Sequence, residues 1–166
     1  FFRENARLGH VDIELDSDGI ARRVFLKAGV EEPRWPAFGL ALATQSNKYM
    51  ADWTGDLNEA PAKSRGRWVR SHEALIPYAG QPGSFQQLSY VQVLFDDQLL
   101  ASLKDKIIIV GMTATGMGTR FATPVSPLNR QPMSGVEWHA NVLNMFLHNR
   151  AIHPVTEHSI SLISVG

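Results

Sequence analysis

The chain has 166 residues, 44% of them apolar and 19% charged, and a formal net charge of zero. These values describe one globular domain able to bury a core, not a disordered segment. The missing basic excess argues against a nucleic-acid partner, and the absence of cysteine excludes disulfides and thiolate metal sites while leaving the redox compartment open.

The chain opens on Phe1-Phe2-Arg3-Glu4-Asn5, without an initiator methionine or a signal-peptide pattern, and so reads as an excised fragment. Residues 10–16 alternate: Val11, Ile13 and Leu15 fall on one side, Asp12, Glu14 and Asp16 on the other. Period two predicts a half-buried strand. A turn at Asp16-Ser17-Asp18-Gly19 and a returning arm at residues 20–26 complete a hairpin, in which Arg22 and Arg23 can pair with Asp16 and Asp18. Glu14, Asp16, Asp18 and Gly19 echo the start of a calcium loop, but Phe25 stands where the closing carboxylate belongs, so no metal is expected.

Residues 35–45 predict a helix, with Pro36 in the first turn and Phe38, Ala41, Leu42 and Gln45 at helical spacing. Gly39 either weakens that helix or lets it pack closely. Residues 47–67 are polar and irregular, a long loop with Trp53 as its anchor. Strand-like pieces follow at Trp68-Val69-Arg70 and Ala74-Leu75-Ile76, with Pro77 at a strand end. After a turn at Gln81-Pro82-Gly83-Ser84, residues 85–89 suggest a short strand and residues 90–95 a short helix that Ser89 can cap.

Residues 104–116 are the strongest structural statement in the chain. Ile107-Ile108-Ile109-Val110 runs into Gly111, which predicts a strand covered on both faces. A glycine loop follows, and then Ser134-Gly135-Val136-Glu137, a capping box that starts a helix running to about His148. Val136, Ala140, Leu143 and Leu147 line one side of this helix, with Val142 and Phe146 beside them. Glu137, Asn141, Asn144 and His148 form a polar stripe expected to face water. Pro154 bars continuation. The expected fold class is therefore α/β, a mixed sheet with flanking helices in a single domain.

The loop at residues 111–118 lies where ligands favour βα units, yet it is neither G-x-G-x-x-G nor a Walker loop. If it binds anything, Thr113, Thr115 and the backbone near Gly116 supply hydrogen bonds, and Arg120 a countercharge. The six histidines form no zinc spacing, and no nucleophile elbow or selected acid–base pair is found. No catalytic residue, metal or cofactor is predicted.

Three blocks resemble a known family. They are Gly9-His10-Val11 with Asp16-Ser17-Asp18-Gly19-Ile20-Ala21-Arg22; residues 103–111 with Thr113-Ala114 and Phe121-Ala122-Thr123-Pro124; and Gly135-Val136-Glu137-Trp138-His139-Ala140-Asn141. In order and spacing they resemble the C-terminal part of a CHASE2 domain, an extracytoplasmic sensory module of bacterial transmembrane receptors. The sequence departs from the family at Thr119, where an aspartate is usual. The resemblance implies a periplasmic or extracellular input domain over residues 1–159, with residues 160–166 leading into a transmembrane segment. It implies an output such as a histidine kinase or a nucleotide cyclase, and a homodimer sensing an unknown small-molecule or protein signal. Two other readings stay open: a soluble α/β enzyme or small-molecule-binding domain, and a protein-interaction domain without a small ligand.

Overall fold

The computed structural model describes residues 7–46, 63–114, 116–126 and 132–152. In chain order the elements begin with β1 (Arg23–Val30), β2 (Trp35–Pro36), α1 (Phe38–Gln45), β3 (Lys63–Arg65) and β4 (Trp68–Leu75). They continue with α2 (Tyr90–Phe95), α3 (Asp97–Ser102), β5 (Arg120–Phe121), β6 (Met133–Ser134) and α4 (Gly135–Leu147). β1 and β4 pair antiparallel from Arg23↔Leu75 to Val30↔Trp68. β2 and β3 close the two edges in the order β2-β1-β4-β3, and β5 and β6 form a separate two-stranded ribbon. The fold is mixed α/β, with antiparallel sheets and flanking helices.

The core lies between the main sheet and two helices. Val24, Leu26 and Ala74 meet Leu40 and Ala43 of α1 and Trp138, Val142 and Phe146 of α4. Burying a side chain the size of Leu26 or Phe146 contributes about 1.5–3 kcal/mol, so this layer supplies most of the gain on folding. α1 and α4 approach closely because Gly39 has no side chain. A β-carbon there would lie 2.8 Å from both the Leu143 nitrogen and Val142 Cγ1.

Helix α1 starts later than its periodicity predicts. Trp35 and Pro36 pair with Ala28 and Lys27 as β2, and the Ala37 N–H donates to the Leu26 carbonyl. Proline is tolerated there because this is an edge strand. Residues 85–89 form no strand. The helix at Tyr90–Phe95 is present, but the Ser89 side chain makes no capping bond. Trp53 and most of the long polar loop lie outside the described residues, as do His153, His158 and residues 160–166.

Two larger corrections concern the hairpin and the apolar run. Residues 11–16 form no strand, and their burial is inverted relative to the predicted alternation: Val11 and Leu15 are exposed while Asp12, Glu14 and Asp16 turn toward arginines. Ion pairing outweighs the period-two pattern there, and only Ile13 packs against the core. Nor is Ile107-Ile108-Ile109-Val110 a strand covered on both faces. It pairs with no strand among the described residues. Ile109 packs against the core and Gly111 presses on Val136, whereas Ile108 and Val110 are 53% and 75% exposed. Such a run needs neighbours to become a strand, and β1 and β4 already have theirs.

Gly39→Ala tests the helix contact. Alanine gains about 1 kcal/mol of helix propensity over glycine, but the new methyl meets the backbone of α4, which has nowhere to move. The expected net result is a loss of about 1–2 kcal/mol, read as a lower urea midpoint with unchanged m-value. A midpoint equal to or above wild type would show that the helices separate freely.

Candidate functional site

The second and third sequence blocks meet at the start of α4, where Gly111 lies against Val136 and Phe121 pairs with Met133. Ser134 caps that helix, accepting from the Glu137 N–H at 3.4 Å. Glu137 does not return the bond within its own capping box. Its Oε1 accepts from the N–H groups of Gly83 and Ser84, at 2.7 and 3.1 Å. One turn on, Asn141 Oδ1 accepts from the Ala79 N–H at 2.9 Å, while Nδ2 donates to the Glu137 carbonyl at 3.0 Å. Glu137 and Asn141 are therefore buried, against the expectation of a solvated stripe, whereas His148 is exposed. The stripe seats the irregular segment 76–84, whose backbone has no strand to satisfy it. A buried amide N–H without an acceptor is costly, and these two side chains provide acceptors.

The glycine loop stands beside this helix end. Gly135 N–H donates to the Thr119 carbonyl at 2.9 Å, and β5 pairs Arg120 with Ser134. Arg120 uses its two terminal nitrogens on backbone carbonyls, donating to Thr113 at 2.8 Å and Pro132 at 3.3 Å. It thus ties the two limbs of the loop. Thr113, Gly116 and Arg120 are brought to one exposed surface, and Thr115 lies outside the described residues. Gly116 and Gly118 take φ values of 78° and 124°, a region that side chains avoid. The turn therefore needs its glycines for conformation.

The feature that sequence reasoning missed is the strap at residues 9–16. Gly9 presses on α1, where a β-carbon would lie 2.8 Å from Phe38 Cα. The His10 backbone bonds Pro36 and Phe38 at 2.8 and 2.9 Å. Arg70 of β4 then grips the strap in the middle: its Nη2 donates to Asp12 Oδ1 at 2.9 Å, its Nε to Oδ2, and its Nη1 pairs with Glu14. Trp68 Nε1 adds a third donor to Asp12 at 2.8 Å. At the far end Asp16 pairs with both Arg22 and Arg23, each at 2.8 Å, and Asp18 with Arg22 at 2.7 Å. Arg23 and Lys63 share Glu73 of β4. These pairings occupy the carboxylates that echo a calcium loop, and no cluster able to hold a metal ion exists among the described residues. The missed contact is long-range: Asp12 and Glu14 both face Arg70, some sixty residues away in sequence, and no local pattern pairs them.

Electrostatics follow from this packing. Burial pushes the Asp12 carboxyl up, but hydrogen bonds from Arg70 and Trp68 outweigh it and hold its pKa below the usual value. Glu73 behaves likewise, burial opposed by Lys63 and Arg23. Two histidines go the other way. His10 is buried, and its pKa is lowered by that burial, partly offset by the Asp12 charge. Its Nδ1 accepts from the Asp12 N–H at 3.3 Å, which leaves the proton on Nε2. Nε2 turns toward the Phe25 backbone without hydrogen-bond geometry. His139 of α4 stands edge-on to Phe38 and Trp138, at centroid distances of 5.5 and 5.0 Å. Burial, with a smaller contribution from the charge on His10, pushes it down to about 4. In both histidines burial disfavours the charged ring.

Arg70→Ala leaves Asp12 and Glu14 without their shared cation. The expected loss is on the order of 2 kcal/mol, measured by urea unfolding. Asp12→Asn, which keeps an acceptor for Trp68, should lose less. A wild-type midpoint for R70A would mean that the strap is held by its backbone alone.

For His139 the folded pKa, about 4, lies below the ordinary imidazole value of 6.5. The unfolded chain therefore binds the proton more readily, and stability present above pH 6.5 is lost as pH falls toward 4. His139→Phe keeps the ring contacts and should reduce the melting-temperature loss across that window, leaving the part that His10 contributes. The steeper fall below it, from Asp12, Asp16 and Glu73, should remain. An unaltered profile between 6.5 and 4 would remove His139 from the account.

Among protein families, the model described as the CHASE2 domain matches residues 3–165. No curated protein and no solved structure matches the chain. No helix among the described residues is long and apolar enough to cross a membrane.

Proposed function

Because the chain belongs to the CHASE2 family, whose members are non-catalytic extracytoplasmic sensory domains of membrane receptors, we propose that residues 1–159 are the input domain of a bacterial signalling receptor. In this reading the domain sits in the periplasm or outside the cell. Residues 160–166 lead into the first membrane helix, and the output domain is a histidine kinase or a nucleotide cyclase. Two copies work together. The observation that carries the reading is the family match over nearly the whole chain.

For the signal, we propose a small polar ligand at Thr113, Thr115, Gly116 and Arg120. The support is geometric: Arg120 spans two backbone carbonyls, of Thr113 and Pro132, on opposite limbs of one exposed loop. A ligand oxygen competing for that guanidinium would release both limbs next to the start of α4. A ligand shifts a receptor only by binding one arrangement better than the other, and in this reading the bridged loop is the ligand-free arrangement and the released loop the bound one.

The membrane placement predicts several apolar segments of about 20 residues encoded beyond Gly166. It also predicts that alkaline phosphatase fused after residue 159 is active in intact cells. A polar continuation with an inactive fusion would return the chain to an unplaced domain. In the full receptor, the Thr113→Ala/Arg120→Ala double variant should change signal-free output at least several-fold. Output and response equal to wild type would discard the loop and leave the placement standing.

A further inference from the structure

His10, from the first sequence block, and His139, from the third, share Phe38 of α1 as a neighbour. The Phe38 N–H donates to the His10 carbonyl at 2.9 Å, and its ring meets His139 edge-on at 5.5 Å. His10 is 8% exposed. Its Nδ1 accepts from the Asp12 N–H at 3.3 Å, and its Nε2, sealed from water, faces the Phe25 backbone. An imidazolium has no lone pair at Nδ1. A proton there sets one N–H against another and puts a charge where water does not reach it.

The surroundings offer that charge little relief. Asp12 favours it, but the Asp12 carboxylate is already bound by Arg70 of β4 and by Trp68, and Arg70 itself repels an imidazolium. From β1 the Phe25 backbone faces the ring, and neither β2 nor α1 contains a charged residue. α4 brings His139, which is repelled by a charged His10, while Glu137 of that helix is engaged by the Gly83 and Ser84 N–H groups.

We propose that His10 is a proton-operated latch: in mild acid residues 9–11 lift from α1, while residues 12–18 stay on the sheet. The two parts of the strap answer to different groups. Asp12, Asp16 and Asp18 are held below the ordinary carboxylate value by hydrogen bonds from their arginines, so they stay charged where histidine titrates and keep their ion pairs. Residues 9–11 are held by the seat of Gly9 against Phe38 and by the two backbone bonds of His10 to Pro36 and Phe38, around a ring that a proton disturbs. Burial holds the docked His10 below 6.5. The lifted ring regains its ordinary value and binds the proton better, so docking is undiminished above pH 6.5 and weakens from there down toward the docked value. Protonated histidines switch interfaces elsewhere in this same range. Lifting also frees the bridge between His10 and Ala37 at the start of α1, the helix that packs on α4 through Gly39. The latch belongs to the fold and needs no ligand at Thr113 to Arg120.

Amide hydrogen exchange of the full chain reads the latch residue by residue, as protection factors that remove the intrinsic effect of pH. At pH 5 the His10 and Phe38 amides should be protected at least about tenfold less than those of Val142 and Phe146 inside α4, because the strap opens without the core. Between pH 7 and pH 5 their protection should fall at least about fivefold. His10→Gln stays neutral and keeps an oxygen for the Asp12 N–H; the fall should then be under about twofold. His139→Phe leaves the trigger in place and should keep the fall. Protection at His10 and Phe38 that equals that of α4 at pH 5 overturns the proposal, as does a fall in H10Q equal to that of wild type. Should H10Q not fold, the wild-type His10 ring is titrated by NMR: a midpoint below 6.5, moving in step with the Phe38 amide signal, supports the latch, and a midpoint at or above 6.5 overturns it.

Discussion

A guanidinium that is nearly excluded from water must keep its counter-charge, and Arg70 sets that constraint on this molecule. Its side chain is 11% exposed, and breaking such a pair leaves an uncompensated buried charge. Asp12 and Glu14 answer it from the strap, which is consequently drawn across the sheet as an irregular segment. The strap in turn carries His10 to α1 and within electrostatic reach of His139 on α4. One ion pair thus links the N-terminal segment, the central strands and the principal helix. Along it sit two histidines whose burial disfavours the charged ring.

Helix α4 is the second organising element, because it is buried on more than one side. Its apolar face completes the core against the sheet and α1. Its polar face receives an otherwise unsatisfied stretch of backbone through Glu137 and Asn141. Its first turn holds the ribbon that ends the glycine loop. Anything that alters the loop therefore acts at the start of a helix whose remainder cannot adjust independently, since interiors packed this tightly transmit displacement.

The segment from α2 to the glycine loop contrasts with this order. It holds the most apolar run of the chain, yet most of its large side chains stay in contact with water. Period and composition identify a strand there, and the side-chain alternation of Ile108 to Met112 agrees with that identification. The hydrogen-bond partners that would make it a strand are not among the described residues of a single copy. The local preference is strand; pairing is a property of whatever lies alongside.

Much was legible from residues alone. The mixed α/β class, the turn at Asp16–Gly19 with its arginine pairs, the helix capped by Ser134, and the close-packing option at Gly39 follow from short-range patterns: period, cap and turn chemistry. The candidate loop of Thr113, Thr115, Gly116 and Arg120 was chosen because glycines mark a turn, and the turn at Gly116 and Gly118 is present. That Arg120 bridges two carbonyls was not legible, since carbonyl positions are set by the fold. Likewise, alternation assigned Asp12 and Glu14 to solvent and helical periodicity did the same for Glu137 and Asn141, because both patterns assume that polar side chains seek water. Tertiary structure decided otherwise. A buried arginine and a run of unpaired amides compete with water for those same oxygens, and only the three-dimensional arrangement says where they lie. The sequence by itself determined the elements and their apolar faces; the fold decided which polar groups were needed inside.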